Sequence, residues 1–492
     1  MAITTIANPQ GVTPAFNPMY FYFDSTSKTE QGFKYLVTVT NQTTSEIIGT
    51  YKLKPIPTSL YGEVDISKLV QTQLYNDFQE LTSYIPAGHQ LTYKLNIKET
   101  YFISAPFTSY SSANNITWPN FSNVNYNPSG YGRTRIAFST LPPYSIGDEI
   151  NISQTIVTRP ELEGIHTVLD IYLDTGVYYV VLDLIWIKAG TAASGTTTFA
   201  DGRKSIIDGI DILGLKAYKG AFKFIDFINY LDDDYILDQD SKLFLTTLPD
   251  GVKISRENPT WLSGYVATGT QQYLVFVING IQYRYPVTAI NGKTSLFNIL
   301  PSDATITETW VGSSWVAFGG GLDMSDVEEY TIQFHETSNP VSVLKTITLY
   351  SECDFHEKMD LTFLDRLGSW ITIPFYKGIY LNQDVTRSTS RKKYGDLNIS
   401  SWEYNSKAKG DEVYHIEENI SYTINTGQLS EVESQYMREL VGTSQAYITI
   451  NNGEPQAIKI ETSSQPLHKK RTKRDRKVSI NFKMAVQDPI NG

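Results

Sequence analysis

Apolar and polar residues alternate singly over short runs along most of this chain, the period of a strand that buries one face. Near the start, Met19–Phe23, Phe33–Thr40 and Glu46–Leu53 predict antiparallel strands, and Gln90–Phe102 predicts a strand returning to the same sheet. Between Pro106 and Gly132 the chain turns to Ser, Asn, Pro, Gly and Tyr, which is loop chemistry. A compact strand pattern follows at Arg135–Phe138, Glu149–Ser153, Gly164–Tyr172 and Val177–Ile187, a spacing that suits a small inserted SH3-like or OB-like barrel. The glycine- and threonine-rich stretch from Gly190 to Gly202 is expected to return the chain to the parent domain.

In the second half, Tyr273–Ile278 and Ile281–Tyr285 flank Asn279-Gly280, the pair preferred by two-residue type I′ hairpins because both central residues need φ above zero. Strands also fit Ala304–Trp310, Glu329–Phe334 and Ser342–Tyr350. Near the end, Tyr447–Ile450 and Ala457–Ile460 flank Asn451-Asn452-Gly453, a second hairpin signal. Helix signals are few. Asp65 precedes Ile66, Leu69, Val70 and Leu74 on one face, Lys223–Leu231 predicts a second helix, and Ser430 with Glu433 spells a capping box before Val432, Tyr436, Leu440 and Val441. In Leu361–Trp370, the residues Leu361, Phe363, Leu364, Leu367 and Trp370 are expected to anchor a strand and turn in the core, with Gly368 allowing the bend.

The expected fold is therefore mainly β: β-sandwich domains with a few short helices and an inserted barrel. The expected boundaries are an N-terminal sandwich part at 1–105, the insertion at 106–205, a continuation or second β domain at 206–350, and a C-terminal domain at 351–492. No repeat with a period of 20 to 50 residues is visible.

Composition narrows the function. Thirty-three tyrosines and 22 phenylalanines stand beside one cysteine and six histidines, which favours contact surface over catalytic inventory. The net charge of −11 argues against general nucleic-acid binding. The first residues lack the basic start and apolar core of an export signal, and the apolar run from Gly176 to Ile187 is shorter than a membrane span. The expectation is a chain that folds in a reducing cytoplasm with no membrane partner, and lone Cys353 has no internal disulfide partner.

Gly-x-Ser-x-Gly, a glycine-rich phosphate loop with lysine and His-Glu-x-x-His are all absent. Cys353, Asp354, His356 and Glu357 lie close together without a second histidine at helical spacing, and His415 with Glu417 and Glu418 reads as the wet face of a strand. Asp232, Asp233, Asp234, Asp238 and Asp240 form the densest acidic cluster but lack calcium-loop spacing. No catalytic residue, metal site or cofactor is expected. A hydrolase using paired carboxylates ranks last among the readings, below a carbohydrate-binding fibre or adhesin.

Two basic segments are the candidate contacts. Lys469, Lys470, Arg471, Lys473, Arg474, Arg476 and Lys477 precede an alternating strand at Val478–Met484 and are expected to form an extended arm. Arg387, Arg391, Lys392 and Lys393 are expected on a second basic loop. On an acidic molecule such segments suit an acidic neighbour, DNA being the second choice.

Four stretches together resemble tail proteins of tailed phages, in particular the ring and hub proteins of crAss-like podoviruses infecting Bacteroidetes. They are Gly62–Leu74 (GEVDISKLVQTQL), Tyr218–Phe227 (YKGAFKFIDF), Cys353 with Leu361–Phe375 (LTFLDRLGSWITIPF), and Tyr380–Tyr394 (YLNQDVTRSTSRKKY). The resemblance implies a distal-tail-like β-sandwich in a closed, dodecameric ring below the portal. Its partners would be other copies and the portal, further rings, hub or fibres, with DNA in the lumen. It implies a non-enzymatic virion component assembled in the host cytoplasm. The insertion from Thr134 to Asp201 departs from that pattern.

Overall fold

The computed structural model describes residues 3–30, 32–76, 78–102, 116–117, 133–138, 146–147, 149–152, 164–174, 176–185, 204–238, 241–266, 271–287, 292–351, 358–376, 378–391, 395–398, 401–404, 410–451, 453–463 and 477–486. The fold is mainly β, with three short α-helices among the described residues: α1 (Ser67–Gln71), α2 (Phe224–Ile228) and α3 (Glu431–Val441). The described chain divides into two compact units. The first holds residues 1–9, 18–69 and 92–215, and the second 10–17, 70–91 and 216–492.

In the first unit, Ile47–Leu53, Lys34–Asn41, Gln90–Phe102 and Lys204–Tyr218 lie side by side in that order. The predicted return of Gln90–Phe102 is seen in its antiparallel register with Lys34–Asn41, Val37 opposite Ile97. A smaller sheet of Ile3–Ala7, Tyr20–Ser25 and Gly62–Asp65 adds Phe21 and Phe23, both fully buried. Phe23 meets Tyr35 edge to face with ring centroids 4.7 Å apart. α1 starts as Asp65 predicts: its Oδ1 accepts hydrogen bonds from the amides of Ser67 at 2.9 Å and Met19 at 3.0 Å.

The described strands of the insertion form a five-stranded antiparallel sheet in the order Glu149–Ile152, Gly164–Asp174, Val177–Ile185, Arg133–Phe138, Ile116–Thr117. The apolar run at Val177–Ile185 is half-wet: Val180 and Leu182 are buried while Asp183 is exposed. The stretch from 190 to 202 lies outside the described residues.

The second unit holds two large sheets that share one hydrophobic cluster. One runs Lys253–Ile254, Lys345–Leu349, Glu329–Glu336, Gln272–Ile278, Ile281–Pro286, Glu308–Val311, Ser314–Ala317. Asn279 and Gly280 adopt φ of 48° and 80° at its central hairpin, as the type I′ signal requires. The predicted strand at 304–310 begins later, at Glu308, because Thr305 and Ile306 both donate backbone hydrogen bonds to Ser302 in a tight turn.

The other sheet has ten strands: Ile379–Arg391, Asp411–Asn425, Ser479–Met484, Gln456–Ile460, Ala446–Ile450, Met359–Leu364, Trp370–Phe375, Trp261–Val266, Lys293–Asn298, Ser83–Tyr84. Three of its central strands, Met359–Leu364, Trp370–Phe375 and Trp261–Val266, are buried at every position. They are covered on both faces, so the polar Asp360, Thr362, Thr372 and Ser263 are buried along with the apolar positions. The predicted capping box is present on α3: Ser430 Oγ accepts from the Glu433 amide at 3.2 Å, and Glu433 Oε2 accepts from the Ser430 amide at 2.7 Å. Its buried face is centred on Tyr436, Met437 and Leu440, whereas Val432, expected on that face, is exposed in the first turn.

Candidate assembly surface

The strands Ile379–Arg391 and Asp411–Asn425 form one long antiparallel hairpin at the edge of the ten-stranded sheet. Only its base is held by that sheet, where Tyr422–Asn425 pair with Ser479–Phe482. From Asn382 to Arg391, at about 3.3 Å per residue, the two strands pair with each other alone for roughly 30 Å. Ile424, at the base, is the one buried residue in the hairpin.

The register sorts its side chains into two unlike faces, because residues opposite each other share a face and successive pairs alternate. Leu381 with Tyr422, Val385 opposite Glu418, Arg387 opposite Ile416, and Thr389 opposite Val413 lie on one face, together with Ile420. Asn382 with Ser421, Asp384 with Asn419, Thr386 with Glu417, Ser388 with His415 and Ser390 with Glu412 lie on the other. The first face mixes these apolar side chains with Gln383, Glu418, Asp411, Arg387 and Arg391; the second is polar apart from Tyr380. Tyr414 is the extra residue of a bulge and is 69% exposed. A lone two-stranded hairpin is marginal in water; here Leu381, Val413 and Tyr414 are exposed while Val385, Ile416 and Ile420 are half-buried.

A second uncovered apolar surface lies on α2. The sequence predicts a helix over Lys223–Leu231, but it ends at Ile228, where Asn229 caps it, and no residue of the helix is buried. Phe224 is 78% exposed, Ile225 66%, Ile228 60% and Leu231 55%. Phe227 and Tyr230 anchor the segment through stacked rings, and Tyr230 donates from its hydroxyl to the Val12 carbonyl at 2.5 Å. Contiguous exposed apolar residues of this size mark interaction sites in soluble proteins.

The candidate basic residues divide. Arg387 and Arg391 are exposed on a regular strand, a correction to the expected loop: Ser and Thr between them satisfy strand alternation, and the Asp411–Asn425 strand supplies the ladder. Lys477 is exposed just before the Ser479–Met484 strand, whose predicted place in a sheet is observed. Lys392, Lys393, Lys469, Lys470, Arg471, Lys473, Arg474 and Arg476 lie outside the described residues, as do Cys353, Asp354, His356, Glu357 and Asp240. His415 is exposed on the polar face of the hairpin, as read from the sequence. The extended arm that the structure shows is thus the pair Ile379–Arg391 and Asp411–Asn425, which sequence reasoning divided between a basic loop and the wet face of a strand. The β-branched residues of Val385–Thr389 and of Val413–Ile420 were the available signal.

The acidic cluster is tied into the fold. Asp232 accepts from the Val12 amide at 3.2 Å, and Asp233 pairs with Lys242 at 2.8 Å. Among the described residues, no group of three or more His, Cys, Asp or Glu is arranged to hold a metal ion. No helix there is long and apolar enough to cross a membrane. A cleft of about 390 Å³ is lined by Phe16, Lys219, Asp365, Arg366, Arg438 and Glu439. Its charges are largely engaged: Arg366 grips Glu439 through two hydrogen bonds, and Asp365 accepts from Thr246 Oγ1, the Thr247 amide and the amides of Leu367 and Ser369 at 2.8–2.9 Å. Burial outweighs those donors and pushes the Asp365 carboxyl up to about 6.

No family model and no curated protein matches the chain. Among solved structures, one described as "Ca2+-stabilized adhesin helps an Antarctic bacterium reach out and bind ice" is similar at 12% identity, over 87% of this chain and 95% of that one, with a TM-score of 0.13. A score of that size carries no argument about fold or function.

Proposed function

We propose that this protein is a non-enzymatic structural component that assembles into a ring or hub layer of a short phage tail, below the portal, as part of the genome-ejection conduit. The observation that carries the reading is the hairpin of Ile379–Arg391 and Asp411–Asn425, held by the sheet only at its base and exposing Leu381, Val413 and Tyr414. Hydrophobic burial scales with area removed from water, so a stripe of Leu381, Val385, Ile416, Ile420 and Val413 gains several kcal/mol on docking, at roughly 25 cal/mol per Å². The exposed α2 residues supply a second contact, and two unlike surfaces on one chain suit the heterologous contacts of a closed ring. The four stretches resembling crAss-like tail proteins support the placement in a phage tail, and two of them include residues of these two surfaces, 224–227 and 380–391. Neighbours would be further copies, the portal and adjoining ring, hub or fibre proteins.

The test is mass photometry with negative-stain imaging of the purified full chain, alone and without residues 469–477. A closed ring is expected. A ring lost on deletion assigns the basic segment to the subunit contact, and a ring that survives assigns it to another partner or DNA. A stable trimer that binds on a glycan array would overturn the reading in favour of a fibre.

A further inference from the structure

The cleft of about 390 Å³ lies wholly within the second unit, between the turn that follows Met359–Leu364, residues 219–221 and the C-terminal end of α3. Its volume is at the small end of the range of ligand pockets. Both carboxylates on its wall are engaged at both oxygens. Asp365 Oδ2 accepts from Thr246 Oγ1 and the Thr247 amide, and its Oδ1 from the amides of Leu367 and Ser369. Glu439 accepts from Nε and Nη2 of Arg366, one on each oxygen. Two of the three cations are not engaged: the Lys219 ammonium and the Arg438 guanidinium have no acceptor or ion-pair partner among the described residues.

Lys219 is the sharper case. It is half-buried, and burial pulls its pKa below the ordinary 10.5 with no carboxylate countering the shift. A cation partly out of water and without a counter-charge gains from an anion that arrives with a ligand. Arg438 stands in the last turn of α3, where the helix dipole answers part of its charge. It is exposed there, and its planar fork suits a carboxylate or a phosphate. A cationic ligand would find both carboxylates already engaged, so the charge of the wall selects an anion. Phe16, 48% exposed, adds an aromatic side chain to the same wall. Independently of the ring reading, we infer that this cleft binds a small organic anion, with its carboxylate or phosphate between Lys219 and Arg438 and its apolar part against Phe16.

Calorimetric titration of the full chain with phenyl phosphate, benzoate and inorganic phosphate, at one ionic strength, tests this. At least one of the two aromatic anions is expected to bind, and inorganic phosphate more weakly. Lys219→Gln and Arg438→Gln should each weaken the aromatic anion by about tenfold, the loss of one charge-assisted contact. Neither side chain holds another part of the chain, so both variants should melt within about 2 °C of the wild type. The unaltered chain supplies a second readout: the bound anion should slow acetylation of Lys219, followed by peptide mass spectrometry, without slowing that of exposed Lys223. Absence of binding by both aromatic anions, equal affinity in the wild type and both variants, or an unchanged rate at Lys219 would each overturn the inference. Inorganic phosphate bound as tightly as the aromatic anion would also overturn it, because Phe16 would then contribute nothing.

Discussion

The imidazole of His89 lies directly over Gly368: a Cβ built at residue 368 would sit 2.3 Å from His89 Cε1. Gly368 also has φ of +97°, in the turn where the Asp365 amide donates to the Ser369 carbonyl and the Ser369 amide returns to Asp365 Oδ1, each at 2.8 Å. Two independent constraints therefore demand glycine. Gly368→Ala is expected to destabilise the second unit by about 2–4 kcal/mol, from overpacking together with backbone strain. In urea denaturation, a double variant with His89→Ala should lose at least ~1 kcal/mol less than the two single losses added, because the overlap vanishes while the strained φ remains. Strict additivity would show that the ring contact contributes nothing.

His89 is fully buried, and neither ring nitrogen has a hydrogen-bond partner. Burial, with Lys219 nearby, holds its pKa down to about 3. In the unfolded chain it titrates near the ordinary value of 6.5. Between those limits the unfolded state binds the extra proton, so stability falls as pH drops from about 6.5 toward 3, by up to about 1.4 kcal/mol per pH unit. His89→Leu is expected to flatten this acid limb in chemical denaturation measured across pH 4–7. An unchanged slope would place the acid sensitivity elsewhere.

Asp365 works in the opposite direction over part of that range. Its folded pKa of about 6 lies above the ordinary 3.8, so the folded state binds the extra proton and stability from this group falls as pH rises from about 4 to 6. Asp365→Asn should therefore steepen the acid-side loss that His89 causes. Asp365→Ala instead strands the amides of Thr247, Leu367 and Ser369 and should cost about 3 kcal/mol or more at neutral pH. Thermal melts of the two variants at pH 5 and pH 7 check both statements.

The hairpin beyond its base should be dispensable for folding. Replacing residues 384–419 by Asn-Gly keeps Gln383 opposite Ile420 and leaves the pairing of Tyr422–Asn425 with Ser479–Phe482 intact, together with the shared core of the two large sheets. The melting temperature is expected to change by no more than about 2 °C, whereas assembly should be abolished. A large loss of thermal stability would show that the arm folds back on its own subunit.

Arg284 is held by two rings and a carboxylate: its guanidinium lies 3.8 Å over Tyr273 and 4.2 Å over Trp315, and Nε donates to Glu308 at 2.5 Å. Lysine keeps the charge but lacks the planar group that stacks. Arg284→Lys should cost about 1–2 kcal/mol in urea denaturation, and a loss below ~0.5 kcal/mol would mean the stacking is worth little.

Much of this fold is written locally. Asn279-Gly280, the Ser430 and Glu433 box, and Asp65 before α1 each satisfy backbone groups within a few residues, so sequence alone places those turns and caps. Strand period likewise announces Lys34–Asn41 and Glu329–Glu336, whose burial alternates. α2 is different: the sequence reads as a longer helix, and the structure leaves its Phe224, Ile225 and Ile228 in water. Apolarity states that a residue benefits from cover without stating which chain provides it.

The hairpin makes the same division plain. The two-residue period of a strand gives two faces to any strand that Val385–Arg391 or Glu412–Ile420 forms. Only the tertiary structure decides that the two strands pair with each other across 19 intervening residues, put both arginines on one face with Glu418 and Asp411, and run past the sheet that holds their base. Register and cover are long-range properties: they depend on which strands meet, and no window along the chain contains both partners.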